Sequence, residues 1–197
     1  MWKVMGAIAV AAALAAPGAQ AAVFKVTGGE DFVLGKDYNP KPGSPDVAPG
    51  ATAIANGALA LGAKGHVTFS YVGTEAGYRN TFWFDGAQLF DNKAKDNPAA
   101  TFKLGPGAVP FEFRTASPSA IVANGMTTGF YNSIAFVQTG ARTVYALFND
   151  GAKVDRDYDD LVVRMDVKPV PLPAAAWLLL GGIAALGAAS RRRRAAV

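Results

Sequence analysis

The chain has 197 residues, contains no cysteine and carries a formal net charge of +4. Without cysteine it cannot be a disulfide scaffold, a thiol enzyme or a cysteine-ligated zinc site. Five of its 19 basic residues (Lys3 and Arg191 to Arg194) lie near the two ends, and the other 14 are balanced by 15 acidic residues, so the charge gives no indication of a nucleic-acid partner.

Residues 1–22 predict a secretory signal peptide. Lys3 supplies a positive start, residues 4–16 form an apolar stretch, and Ala19-Gln20-Ala21 has the small-x-small pattern of a cleavage site. We therefore expect the protein to be exported, with a mature chain that begins near Val23.

Residues 23–168 predict one all-β domain, an antiparallel β-sandwich or jelly roll. Short segments of alternating apolar and polar residues are bounded by Gly, Pro, Asn or Asp, which is typical of such sheets. One of them, Thr143 to Phe148, is apolar on both faces and is expected to be a central strand. The predicted strands are Val23 to Val26, Ala58 to Leu61, His66 to Val72, Thr81 to Phe84, Thr101 to Leu104, Val109 to Arg114, Ser133 to Val137, Thr143 to Phe148 and Leu161 to Val167.

A loop rich in proline and glycine is predicted at residues 35–57. It carries Pro40, Pro42, Pro45 and Pro49, which exclude regular structure over most of its length. A loop of this length is either a flap that covers the domain or a functional edge.

The sequence contains no catalytic pattern, and we predict that the protein is not an enzyme. His66 is the only histidine and lies on the polar side of its strand, and neither G-x-S-x-G nor H-E-x-x-H occurs. Trp83 alternates with Phe82 and Phe84, so the two phenylalanines are expected in the core and the tryptophan outside. There Trp83 either is an ordinary surface residue or stacks on a sugar.

The densest charge lies between Asp150 and Asp160, where five carboxylates repel one another. Ca²⁺ takes about six to eight oxygen ligands, and Asp155, Asp157 and Asp159, spaced two apart, can turn theirs toward one point. We predict a calcium site at these three residues and Asp160, with Asp150 as a further candidate. An EF-hand is excluded because Asp160 stands where that loop needs glycine.

The alternative interpretation of this acidic loop is a solvated turn, in which the aspartates cap backbone amides and Arg156 neutralises them. The segment from Tyr145 to Met165 resembles the C-terminal motif of bacterial β-domains of the DUF4114 type, where an N-D pair and then D-x-D-Y-N/D-D-L-V-V precede the last strand. The resemblance implies that the acidic positions of that motif are Asp155, Asp157, Asp159 and Asp160. Gly77 to Phe84 is similar to the Gly-Tyr segment of the same family.

The C-terminal residues 170–197 have three parts in fixed order. A proline motif comes first, an uncharged apolar run follows at residues 174–189, and a block of arginines ends it. At about 1.5 Å per residue, the apolar run makes a helix of roughly 24 Å, which spans a bilayer only with its flanking residues. The arginines are expected on the cytoplasmic side, which places the domain outside. The motif consists of Val170, Pro171, Leu172, Pro173 and Ala174, and the block of Arg191, Arg192, Arg193 and Arg194.

This order of parts resembles the PEP-CTERM class of bacterial sorting signals, in its VPLPA variant. The resemblance implies that a membrane protease of the exosortase type recognises residues 170–174 and removes the tail. The protein would then be anchored transiently in the inner membrane before it reaches the cell surface or the extracellular space. The alternative is a single membrane anchor that is never cut.

These features predict a non-enzymatic surface or matrix protein with a structural or adhesive role, linked to exopolysaccharide or biofilm and containing a calcium-binding loop. The alternative is a secreted carbohydrate-active enzyme or a membrane-anchored binding protein.

Overall fold

The computed structural model describes residues 22–43, 46–116, 119–127, 131–151, 157–170 and 181–184. The predicted signal peptide up to residue 21, the motif from Pro171 to Ala174 and the block from Arg191 to Arg194 lie outside them, and these assignments stay predictions. In the described ranges, no helix combines the length and apolar character that crossing a membrane requires.

The described part of the chain forms fifteen β-strands, and all of their pairings are antiparallel. The strands are β1 (Phe24–Thr27), β2 (Glu30–Val33), β3 (Lys41–Pro42), β4 (Thr52–Ala55), β5 (Ala58–Leu61), β6 (Gly65–Thr74), β7 (Asn80–Phe84), β8 (Ala87–Asp91), β9 (Ala100–Leu104), β10 (Gly107–Ala108), β11 (Phe111–Ala116), β12 (Ser119–Ala123), β13 (Ser133–Gly140), β14 (Thr143–Asn149) and β15 (Leu161–Pro169).

The strands form three sheets. An eight-stranded sheet has the order β2-β4-β13-β14-β15-β6-β3, with β9 also paired to β6. A four-stranded sheet has the order β12-β11-β7-β8, and a three-stranded sheet has the order β1-β5-β10. The predicted central strand, β14, lies in the middle of the largest sheet, which explains why its sequence is apolar on both faces.

The main core lies between one face of the eight-stranded sheet and the two smaller sheets. Phe113 of β11 stacks on Phe148 of β14 with the ring centroids 4.9 Å apart. The ring centroids of Phe69 in β6 and Phe82 in β7 lie 5.6 Å apart. Because side chains alternate along a strand, every second residue reaches this core. The prediction of an all-β antiparallel fold is confirmed, and the packed layers are consistent with a sandwich.

A second core lies on the opposite face of the eight-stranded sheet, where the loop predicted at residues 35–57 contributes to its cover. Tyr38 and Val47 of this loop are buried against Tyr145 and Leu147 of β14. The loop is not wholly irregular, since it includes the short strand β3 and all of β4.

All nine predicted strands are present, with ends that differ by a few residues, but six others were not predicted. Two of these are only two residues long, and β2 begins with two exposed acidic residues at a sheet edge. Such strands carry little hydrophobic periodicity, which is the signal that sequence interpretation depends on. The strands missed are β2, β3, β4, β8, β10 and β12.

Candidate metal site

The acidic loop joins β14 to β15, and the pairing of Phe148 with Leu161 brings its two ends together. Asp150 lies at the first end, and Asp157 to Asp160 form the second, leading directly into β15. Asp155 lies outside the described residues. The hairpin therefore confines four of the five predicted aspartates to one end of the eight-stranded sheet.

Three carboxylates converge there, and we call Glu75, Asp157 and Asp159 the acidic cluster. One oxygen from each lies within 4.8 Å of the others, a separation at which they can share a metal ion. Asp157 and Asp159 lie two residues apart just before β15, and their carboxylates reach the same point. The sequence predicts Asp157 and Asp159 as metal ligands from this spacing, but it does not predict Glu75.

Glu75 reaches the cluster because β6 is the neighbour of β15 in the sheet. The pairing of these strands continues beyond their ends, since the Glu75 amide donates to the Asp159 carbonyl at 2.9 Å. The Thr74 hydroxyl also donates to the Asp160 carbonyl at 2.5 Å. A glutamate more than 80 residues away along the chain is thus fixed beside the two aspartates.

Tyr158 anchors the loop between the two aspartates of the cluster. Its side chain is 1% exposed, its ring centroid lies 4.9 Å from that of Phe32, and its hydroxyl accepts a hydrogen bond from Ser133 Oγ at 2.9 Å. Its φ of 60° is left-handed, which a bulky residue adopts only where its surroundings hold it. The backbone that presents Asp157 and Asp159 is therefore held by the second core.

Asp159 is completely buried, and its two oxygens have different surroundings. Oδ2 accepts a hydrogen bond from the Asn39 amide at 2.5 Å, whereas Oδ1 is buried and accepts no hydrogen bond from the residues that the structure describes. Burial raises the pKa of Asp159 to about 7. The negative charges of Asp157 and Glu75 and a hydrogen bond that the protonated carboxyl would share with Asp157 add to the rise, although the Asn39 amide opposes it. A cation would oppose this rise, because a nearby positive charge favours the ionised carboxylate.

Asp150 and Asp160 form a second buried network beside the cluster. The Asp150 amide donates to Asp160 Oδ2 at 2.7 Å, and Asn80 Nδ2 donates to Asp150 Oδ2 at 2.9 Å. Burial raises the pKa of Asp160 to about 8. The hydrogen bond from the Asp150 amide opposes the rise, and the negative charges of Asp150, Asp157 and Asp159 add to it. These contacts tie the loop to the start of β7, so Asp150 and Asp160 brace the loop rather than join the three converging carboxylates.

The cluster therefore has the chemistry of a hard-cation site. Carboxylate oxygens are the ligands that Ca²⁺ and Mg²⁺ prefer, and backbone carbonyls and water complete such sites. The residues fit a cation because Asp159 Oδ1, an acceptor in a fully buried side chain, receives no hydrogen bond within the described residues. A buried carboxylate oxygen that accepts no hydrogen bond is costly, and coordination to a cation would remove that cost.

Comparison with known proteins adds little to this geometry. No family model matches the chain, and no curated protein matches it. One solved structure, the Chromobacterium violaceum lectin CV2L in complex with α-methyl-fucoside, is similar at 15% identity over 55% of this chain and 90% of the lectin. The TM-score is 0.29, which is too low to support an inference about this protein.

Proposed function

We propose that this protein is an exported, non-enzymatic β-domain with a structural or adhesive role at the cell surface, and that calcium bound at the acidic cluster stabilises it. The observation that carries the calcium part is the buried Oδ1 of Asp159, which accepts no hydrogen bond from the described part of the chain and lies beside two further carboxylates. Glu75, Asp157 and Asp159 would hold the ion.

Calcium fits this cluster better than magnesium for two reasons. Ca²⁺ accepts irregular sets of about six to eight oxygens, whereas Mg²⁺ requires a nearly regular octahedron and keeps several of its waters. The ligands come from the end of β6 and from an irregular loop before β15, and Asp159 is buried away from bulk water. A flexible coordination sphere suits such a site.

The bound ion would act as a structural cross-link. Glu75 follows β6, Asp157 and Asp159 precede β15, and Asn39 in the loop between β2 and β3 already contacts Asp159. An ion at the cluster connects these segments across the end of the sheet. Binding to the folded state alone stabilises that state by mass action, which suits an exported protein that has no cysteine for disulfides.

Delivery to the surface is supported by the two ends of the sequence. The signal-peptide pattern at residues 1–22 and the VPLPA motif followed by an apolar run and Arg191 to Arg194 favour export and release by an exosortase-type protease. Exopolysaccharide is then the natural partner of a non-enzymatic surface domain.

Isothermal titration of the full-length protein with calcium chloride tests the metal site. We expect Glu75→Gln to weaken binding at least about tenfold, because it removes one charged ligand. Glu30→Gln is the matched control, since Glu30 is an exposed glutamate on β2, and it should bind like the wild type. Equal affinities for Glu75→Gln and the wild type would exclude this site.

A further inference from the structure

A cleft of about 460 Å³ lies at the opposite end of β7 from the acidic cluster, where the outer face of the four-stranded sheet meets the connection between β10 and β11. Its charged and aromatic side chains come from Trp83, Asp85, Glu112 and Arg114. Asn80, at the start of β7, contacts Asp150 beside the acidic cluster. Trp83 lies three residues further along the same strand, which at roughly 3.3 Å per residue places it about 10 Å away. The cleft and the acidic cluster are therefore separate sites.

Trp83 is held rigidly in one wall of this cleft. Its neighbours Phe82 and Phe84 are in the core, so the strand places the indole on the outer face, where it is half-buried. The indole Nε1 donates to Thr81 Oγ1 at 2.9 Å, and the Arg114 guanidinium lies 3.7 Å from the ring centroid. The Nε1–H of the indole is thus already hydrogen-bonded, and the guanidinium covers one face of the ring, so the part of the indole that Arg114 leaves uncovered is what remains for a ligand.

Arg114 is fixed in turn by Glu112, its neighbour on the outer face of β11. Arg114 Nε donates to Glu112 Oε1 at 2.6 Å, and Glu112 pairs directly across from Trp83 in the sheet. The guanidinium lies over the indole and the carboxylate binds the guanidinium, so apolar area, hydrogen-bond donors and acceptors lie close together. Such a preorganised surface loses little conformational entropy when a ligand binds.

The far wall is a tight turn that is tied to the rest of the cleft. Asp85 and Gly86 join β7 to β8 with φ values of 48° and 79°, the left-handed pair of a two-residue hairpin. The Asp85 amide donates to the Pro110 carbonyl at 2.9 Å, which fixes the turn against the start of β11. The exposed Asp85 carboxylate adds a second acceptor at the rim.

One further residue holds the floor in place. Asn124 accepts from the Leu59 amide at 2.8 Å and donates to the carbonyls of Leu59 and Val109 at 2.7 Å and 2.9 Å. Because its amide is committed to the backbone, it acts as a positioning residue and not as a ligand contact.

The chemistry of this cleft favours an uncharged polyhydroxylated ring. The C–H face of a pyranose packs on an aromatic surface, while carboxylates and a guanidinium accept from and donate to neighbouring hydroxyls. Two acidic groups against one basic group leave the lining slightly negative, which opposes an anionic polymer. The volume lies in the range of small-ligand sites.

We propose that the Trp83–Arg114 cleft binds an uncharged saccharide, with the part of the indole that Arg114 leaves uncovered packing against the sugar ring and Glu112, Arg114 and Asp85 bonding its hydroxyls. This inference rests on the proposed adhesive function and specifies the surface that performs it. It does not involve the acidic cluster, so the two can be tested apart.

Affinity electrophoresis of the full-length protein tests the proposal with dextran, mannan and galactan as uncharged polymers and alginate as a polyanion. We expect at least one uncharged polymer to retard the wild type. Trp83→Ala should lower the affinity at least tenfold, Glu112→Gln should lower it severalfold, and Trp83→Phe should retain most of it. Ile121→Ala is the control, because Ile121 lies on β12 of the same four-stranded sheet, is 53% exposed and does not line the cleft.

Melting curves of each variant, recorded with and without calcium, check folding and separate the two proposals. A folded Trp83→Ala protein that keeps its affinity would overturn the saccharide site, as would retardation by alginate alone or by none of the polymers. If the calcium response persists in that case, the cleft assignment fails while the metal site stands. If polymer binding persists without a calcium response, the metal site fails instead.

Discussion

Asp159 combines complete burial with two neighbouring carboxylates, and this makes stability depend on pH. Its pKa rises from an ordinary value of 3.8 to about 7 in the folded protein. Between these values the unfolded chain has already lost the proton that the folded protein keeps. Without calcium, the contribution of Asp159 to the free energy of unfolding therefore falls as pH rises from about 4 to about 7.

Replacing Asp159 with asparagine should remove this loss. In calcium-free buffer at pH 8, we expect Asp159→Asn to unfold with a free energy on the order of 2 kcal/mol higher than the wild type, with the difference shrinking toward pH 4. The amide oxygen can still accept from Asn39. Urea unfolding across this pH range measures the effect.

The control for this charge change is Asp31→Asn, which removes the same charge from an exposed position on β2. Its free energy of unfolding should follow that of the wild type across the pH range. If the free energies of unfolding of Asp159→Asn and the wild type differ by the same amount from pH 4 to pH 8, the proposed role of the Asp159 charge is wrong.

Gly151 supports the acidic loop through its backbone conformation. Its φ is +70°, and a Cβ there would lie 2.3 Å from the Tyr131 carbonyl oxygen. We expect Gly151→Ala to lower the free energy of unfolding by more than about 2 kcal/mol, because strain and a backbone clash add. Gly86→Ala has a similar φ of +79° with open space around it, so it should cost only about 1 kcal/mol. Equal losses in denaturant melts would show that the clash is relieved at no cost.

At the scale of single residues, the sequence predicts part of the candidate metal site. The spacing of Asp157 and Asp159 is local and visible in the sequence, but the left-handed φ of Tyr158 between them is not. Glu75 is a single carboxylate with no motif around it, and only the pairing of β6 with β15 brings it to the cluster. Asn39 contributes its backbone amide, and because almost every residue has one, the sequence cannot indicate this contact.

At the scale of elements, contacts between phenylalanines join the layers of the main core. Phe113 is fully buried and stacks in parallel on Phe148 with the planes 5° apart. Phe113→Ala should lower the free energy of unfolding by about 3–5 kcal/mol, since it leaves a cavity between the sheets. Ile121→Ala, at an exposed position on the adjacent strand, should change it by less than about 0.5 kcal/mol. Comparable losses for the two, measured by urea unfolding, would contradict the layered packing.

Most of the strands could be predicted because burial on one face imposes a period of two, as on β6, where Val67 and Phe69 point inward. The pair Asp85-Gly86 is typical of a two-residue hairpin and so indicates the turn from β7 to β8, although β8 was not predicted. The second core could not be predicted, because Tyr38 and Val47 lie in a proline-rich loop without periodicity. Their burial follows from tertiary packing and not from local sequence.

At the scale of the whole molecule, the proposed export depends on the signal-peptide and sorting patterns at the two ends of the sequence. If the signal peptide and the sorting motif are both processed, protein recovered from the cell surface should lack residues 1–22 and most of residues 174–197. Intact mass spectrometry of the released protein measures this. A mass that still includes the apolar run and Arg191 to Arg194 would contradict release and favour a permanent anchor.

The central claim is that calcium at the acidic cluster stabilises the folded domain, and the melting temperature of the full-length protein tests it most directly. With calcium about 100-fold above its dissociation constant, binding adds about 2.7 kcal/mol, which raises the melting temperature by roughly 5–10 °C over that in a chelator. The variant with both Asp157→Asn and Asp159→Asn should melt at one temperature under both conditions. A wild-type protein whose melting temperature is the same with calcium and with chelator would contradict the claim.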